Sequence, residues 1–160
     1  MAEIISSDDD FEAMGYSRDV ADSGNLDIGF IESDGQAPVG SITDFTNSSI
    51  DMNVNGIYTD SALDYHVGKD SLDVKMQGQT SKRKSGKVKK TLGSPTEGVV
   101  IGSLMADGDS GGPMFVDEED GAAMAGTISG GYSPYWSLDP EWTWGTTVET
   151  IEDELGGSIY

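Results

Sequence analysis

From residue 26 onward the chain is cut into short apolar runs, each bounded by Gly, Asn, Asp or Ser, which leaves little room for long helices. "LDIGFIES" and "SIDMNVNGIYT" come first, followed by "DVKMQGQT", "GKVKKT", "EGVVIGSLM", "GGPMFVD" and "AAMAGTIS". Runs of this kind, rich in β-branched residues, read as strands. Turn signals fall among them: "DG" at 34–35, "NG" at 55–56, "SG" at 85–86 and "DG" at 120–121. The pattern predicts an all-β fold of barrel or sandwich type. Only the last segment, "WTWGTTVETIEDEL", carries a helix signal, with Val148, Ile151 and Leu155 at helical spacing and Gly156-Gly157 to stop it. Residues 1–24 are acidic and weakly periodic, and read as an arm or an irregular edge.

Charge sets the second constraint. The 160 residues carry 29 Asp plus Glu against 9 Lys plus Arg, a formal net charge of −20. So dense a carboxylate surface repels itself and calls for strong screening or a polybasic partner, so a high-salt habitat fits. It excludes nucleic acid as a partner, because phosphates would be repelled. Lys82, Arg83, Lys84, Lys87, Lys89 and Lys90 gather in "SKRKSGKVKK". That run is either a hairpin whose cations offset neighbouring carboxylates or a docking site for an anionic partner, including a second copy of this acidic chain. The acidic runs "DDD" (8–10) and "DEED" (117–120) lack the glycine turn of a calcium loop and read as solvated surface, so no metal site is expected. The chain has no Cys, which rules out disulfides and thiolate chemistry. No apolar run is long enough for membrane insertion, and "MAEIISSDDDFE" has neither the basic nor the apolar region of a secretory signal: either the product begins here, as Met-Ala suggests, or a leader has been removed and replaced. No cofactor fingerprint is present.

The most specific local signal is "ADGDSGGPMF" at 106–115. A serine hydroxyl needs an imidazole to take its proton, a carboxylate to hold that imidazole, and N–H donors for the developing oxyanion. Glycines beside Ser110 let the backbone turn sharply, so that the N–H groups of Gly108 and Ser110 could serve as those donors. Asp109 would turn inward and require a cationic or hydrogen-bonding partner. In the same chain, Tyr132, Tyr135, Trp136, Trp142 and Trp144 crowd together, either as aromatic packing over a loop or as an exposed face for a protein or glycan.

"GDSGGPMF" resembles the nucleophile motif of chymotrypsin-fold serine proteases, in particular their compact bacterial streptogrisin and α-lytic branch. "ISGGYS" (128–133) is similar to that family's substrate-pairing strand edge, and "VKMQGQTSKRKSGKV" (74–88) to a hairpin of the bacterial branch. "TTVETIEDELGGSIY" resembles its closing helix and last strand, and "NLDIGFIE" (25–32) the strand bearing the triad aspartate. The likeness spans roughly residues 20–160. It implies a chymotrypsin-like double β-barrel with a shortened first barrel and a short C-terminal helix. The layout it implies is an arm (1–24), a remnant of the first barrel (25–66) and a second barrel with the helix (67–160). It also implies Ser110 as nucleophile, Asp27 as orienting carboxylate, Gly108 and Ser110 as oxyanion donors, and Ser129, Gly130, Gly131 and Tyr132 as the edge that binds substrate or partner. Lys82-Arg83-Lys84, standing where the family has a Thr-rich turn, could supply a cation for Asp109.

One departure from the family matters most. The family's order is His, Asp, Ser, whereas the single histidine here, His66, follows Asp27 and falls at the join to the second barrel. Residues 1–10, where an upstream histidine would be sought, read "MAEIISSDDD". The expectation is therefore a protease homologue without a triad histidine. It would work as a non-catalytic structural or binding module, such as a virion or cell-surface component in high salt, with a protein partner or a homo-oligomer. The alternative is an active serine endopeptidase cleaving a peptide substrate, its histidine supplied by another chain, by a missing upstream segment or by a rearranged His66.

Overall fold

The computed structural model describes residues 3–5, 13–23, 26–33, 41–43, 51–93, 96–133 and 141–155. Eleven strands and two short helices follow in chain order. The strands are β1 (Glu3–Ile5), β2 (Ala13–Ser23), β3 (Leu26–Ser33), β4 (Ser41–Thr43), β5 (Asp51–Ile57), β6 (Asp73–Gly78), β7 (Lys82–Leu92), β8 (Gly98–Ile101), β9 (Pro113–Glu118), β10 (Gly121–Tyr132) and β11 (Trp142–Thr147). Helix α1 (Asp60–His66) lies between β5 and β6, and α2 (Val148–Leu155) follows β11. The turn signal at 34–35, the acidic run 8–10, Tyr135, Trp136 and the stop at Gly156-Gly157 lie outside the described residues.

Six strands in the order β11-β8-β7-β6-β9-β10 close into a barrel, because β11 also pairs with β10. Strand alternation explains how they close. In β6, Val74 and Met76 turn inward and are fully buried. In β7, Gly86 and Val88 face in, while Lys84, Lys89 and Lys90 stay exposed. Val99 and Ile101 of β8 and Met114 of β9 complete the interior. The opposite face of β9 and β10 builds a second core: Phe115, Ala122 and Met124 pack with Ile42 of β4 and Val148 of α2. One strand thus feeds two cores through its period of two. Burying Phe115 alone is worth about 2–3 kcal/mol.

The turns differ from the sequence expectation in two places. β5 joins β10 in parallel, with Gly56 opposite Ala123, so Asn55-Gly56 lies inside a strand and makes no hairpin turn. Ser85-Gly86 likewise sits within β7, opposite Lys75 and Val74, and the chain reverses earlier, at residues 79–81. Gly86 serves close packing instead: a Cβ there would stand 2.8 Å from the Gly102 carbonyl. The Asp120-Gly121 signal does mark the β9–β10 reversal, with Glu118 opposite Gly121.

Residues 60–66 form a second helix that the sequence pattern did not suggest. Thr59 caps it, accepting from the Ala62 N–H at 3.3 Å, and Leu63 is its one fully buried side chain. A single anchor in a seven-residue helix leaves no periodicity to detect. Within 1–24, β1 and β2 are regular strands that build a three-stranded sheet with β3. No helix among the described residues is long and apolar enough to cross a membrane.

Candidate functional site

Between β8 and β9 the chain makes two tight turns. Gly108 has φ +90° and Gly111 φ +81°, conformations that residues with a Cβ rarely adopt. The Asp109 N–H donates to the Ala106 carbonyl at 3.1 Å and the Gly112 N–H to the Asp109 carbonyl at 3.1 Å. The loop is then sewn to β10: the Gly111 N–H donates to the Ile128 carbonyl (2.7 Å) and the Ile128 N–H to the Gly112 carbonyl (2.8 Å).

Asp109 does turn inward and is 1% exposed, and of the two kinds of partner expected it takes hydrogen-bond donors, not the cations of Lys82-Arg83-Lys84. Its carboxylate accepts from the backbone N–H groups of Thr80 (2.7 Å), Ser81 (3.1 Å) and Ala106 (2.8 Å). The nearby basic side chains make other bonds. Arg83 donates to Gln77 Oε1 at 2.6 Å, Lys84 Nζ to the Leu104 carbonyl at 2.6 Å, and Lys82 Nζ to the Gln79 carbonyl at 2.9 Å. Burial pushes the Asp109 pKa up. The Ser81 hydroxyl and N–H, with the Thr80 and Ala106 N–H groups, outweigh that and hold it below the ordinary carboxylate value. The 79–81 turn therefore anchors the serine loop by its amides. No residue near Asp109 in sequence signals this turn, which lies between β6 and β7.

Ser110 is exposed on the rim of a cavity of about 360 Å³. Leu104, Met105 and Asp107 line one side, and Ile128, Gly130 and Gly131 the other. Both glycines are required by close approach. A Cβ on Gly131 would stand 2.9 Å from Leu104 Cδ1, and one on Gly130 would stand 2.9 Å from Trp144 Nε1. Ser129 lies at a bulge, since Ile128 pairs with Gly145 and Gly130 with Trp144. Its carbonyl accepts from Ser110 Oγ at 3.3 Å, while its own hydroxyl is buried with no partner among the described residues. Among those residues the N–H groups of Gly108 and Ser110 also find no acceptor.

The structure thus brings Ser110, Gly130 and Gly131 to one cavity; Ser129 is tied to it through the Ser110 hydroxyl, and Gly108 lies two residues before Ser110 in the same loop. Tyr132 stands at the end of β10, stacked on Trp142 with ring centroids 5.2 Å apart and 47% exposed. Asp27 is the second residue of β3, opposite Asp22, and its side chain lies outside what the structure describes. His66 is not among the partners of Ser110. Its Nδ1 is 2.7 Å from Ser71 Oγ and its Nε2 is 3.0 Å from Tyr58 Oη. The basic run lies along β7. Lys87 and Lys89 pair with Asp73 (2.8 Å) and Asp70 (2.9 Å), and Lys75 of β6 with Asp117, so these cations offset neighbouring carboxylates. Among the described residues no group of three or more His, Asp or Glu side chains could hold a metal ion.

The sequence matches no family model, and no curated protein aligns with it. Solved structures do resemble it. A glutamic acid-specific serine protease, which uses a histidine triad in substrate binding, superposes with a TM-score of 0.70 at 19% identity, covering 94% of this chain and 75% of that one. A Nocardiopsis protease gives 0.64 at 18% identity, over 89% and 71% of the two chains. Cellulomonas bogoriensis chymotrypsin gives 0.64 at 19% identity, over 89% and 73%. The fold is therefore the chymotrypsin-like all-β fold of bacterial serine proteases, with one closed six-stranded barrel.

Proposed function

We propose that this chain is a trypsin-like serine protease homologue whose Ser110 site holds a protein segment without cleaving it. One observation carries this reading: the partner of the Ser110 hydroxyl is a backbone carbonyl, and the chain's single imidazole is engaged by Ser71 and Tyr58. A carbonyl accepts a hydrogen bond but does not take the proton, so the alcohol stays a poor nucleophile. Oxyanion donors and binding alone give on the order of 10³–10⁴ over water, far short of a working protease. The net charge of −20 supports a role in high salt, as part of an extracellular or virion-like assembly.

The glutamic acid specificity of the neighbouring protease does not carry over, because a chain with one histidine has no histidine triad to bind substrate. A second reading, a serine endopeptidase completed by an imidazole from another chain or an upstream segment, is favoured by the buried Ser129 hydroxyl, which has no partner among the described residues beside an intact Ser110. A fluorophosphonate probe in molar KCl separates the two. No adduct on Ser110 is expected, with Ser110→Ala as the blank. Stoichiometric labelling that disappears in the blank would overturn the non-cleaving reading.

A further inference from the structure

We infer that the Ser110 cleft is a receptor for the free carboxylate at the end of a peptide whose last side chain is apolar. This rests on the non-cleaving reading of the same site and names its ligand.

The argument starts from the donors. Of the N–H groups in the 108–112 loop, those of Asp109, Gly111 and Gly112 are bonded to carbonyls within the described structure. Those of Gly108 and Ser110 are not, and they flank Asp109, whose carboxylate is turned away into four N–H contacts with Thr80, Ser81 and Ala106. Alternate N–H groups beside a left-handed glycine form a concavity suited to an anion. The Ser110 hydroxyl adds a third donor, free to leave its 3.3 Å bond to Ser129. A site that offers donors suits a group that only accepts, and an ionised carboxylate is such a group. An internal peptide bond brings an N–H that needs an acceptor of its own. Charge-assisted bonds to a carboxylate are also roughly twice as strong as those to a neutral carbonyl, and capture of a terminal carboxylate by backbone N–H groups is a known mode of peptide recognition.

The cavity supplies the rest. Leu104, Met105 and Ile128 give it apolar walls, and Gly130 and Gly131 leave the strand edge bare, so about 360 Å³ receives one apolar side chain next to its carboxylate. Electrostatics gives an unusual sign. Asp107 is exposed on the rim, and the whole molecule is strongly negative. Long-range repulsion opposes any anion in dilute buffer and is screened at about 3 Å in 1 M salt, where the short hydrogen bonds survive. Affinity for the carboxylate therefore rises with salt.

The test compares N-terminally fluorescein-labelled Ala-Ala-Ala-Leu as free acid and as C-terminal amide, by anisotropy with the full chain in molar KCl. The acid is expected to bind about tenfold tighter or more, and to bind tighter in molar than in dilute KCl. Gly108→Ala places a Cβ 3.2 Å from Thr80 Oγ1 on a backbone at φ +90°, and should lose that preference in a protein whose melt shows it folded. Ser110→Ala keeps its N–H and should retain most of it. Equal affinities for acid and amide, or no binding of the acid by the folded wild type, overturn the carboxylate inference. Neither result touches the non-cleaving reading, which fluorophosphonate labelling of Ser110 alone decides.

Discussion

Ser110 Oγ donates to the Ser129 carbonyl at 3.3 Å, joining the serine loop to the bulge in β10. The bond points the hydroxyl at an acceptor with no basicity to offer, and it leaves the backbone N–H of the same residue open to a ligand. On the non-cleaving reading proposed above, reactivity and binding are separated at one residue, and the predictions below probe the contacts that hold this arrangement.

His66 is a structural tie between the end of β5, α1 and the segment ahead of β6, through Tyr58 and Ser71. His66→Gln should cost about 1 kcal/mol in urea unfolding, the usual worth of such bonds. Probe chemistry at Ser110 should not change. A His66→Gln effect on Ser110 labelling would show the imidazole acting at the serine after all.

Asp109→Ala removes a buried carboxylate and leaves the amides of Thr80, Ser81 and Ala106 without their acceptor, and should cost about 2–3 kcal/mol. Its pH dependence has a definite sign. The folded pKa lies below the unfolded value of about 3.9, so the unfolded chain binds the proton more readily. Stability from this group is present above that value and is lost as pH falls below it toward the folded pKa. Urea midpoints across that acid range should fall more steeply for wild type than for Asp109→Ala.

Asp60 behaves in the opposite way. Burial raises its pKa, a hydrogen bond with Thr147 opposes the rise, and Glu149, Asp64 and Asp153 add to it. Its Oδ1 is buried without a partner among the described residues, while its N–H donates to Glu149 at 2.6 Å. A raised carboxyl pKa means that the charged form is destabilising at neutral pH. Asp60→Asn should therefore stabilise by about 0.5–1 kcal/mol there. The gain should fade as pH falls through the raised pKa, where wild type becomes neutral too. Thermal melts along a pH series check both points.

Salt should stabilise the fold even though it weakens the lysine pairs. Lys87–Asp73 and Lys89–Asp70 are exposed, and each is worth at most about 1 kcal/mol. Screening the repulsion within a net charge of −20 outweighs their loss. The melting temperature should climb with KCl, and Lys87→Ala should shift it little. A falling melting temperature would mean that the ion pairs dominate.

Where a residue's neighbours in sequence are also its partners, the sequence was legible. Val74 and Met76 alternate with Asp73, Lys75 and Gln77, while Met114, Phe115 and Val116 form a short apolar run, and strands β6 and β9 lie where those patterns put them. The glycines beside Ser110 likewise mark a tight turn that local chemistry demands. Legibility failed where distant segments decide. Nothing near Asp109 in sequence reveals that amides from the 79–81 turn will satisfy it. Asn55-Gly56 looks like a turn until β10 arrives to pair with it, and the Asp60–His66 helix depends on burying Leu63 in the barrel core.

The parallel alignment of β5 with β10 bears on how the molecule folds. β6–β7, β7–β8 and β9–β10 are antiparallel neighbours that the chain can zip together soon after each reversal. β5 has no such neighbour downstream; its partner on that side is met only after four intervening strands have been threaded. Closing so wide a loop is slow until a template exists. Topology therefore favours early pairing of the antiparallel neighbours, with β5, and β4 paired to it, joining β10 late.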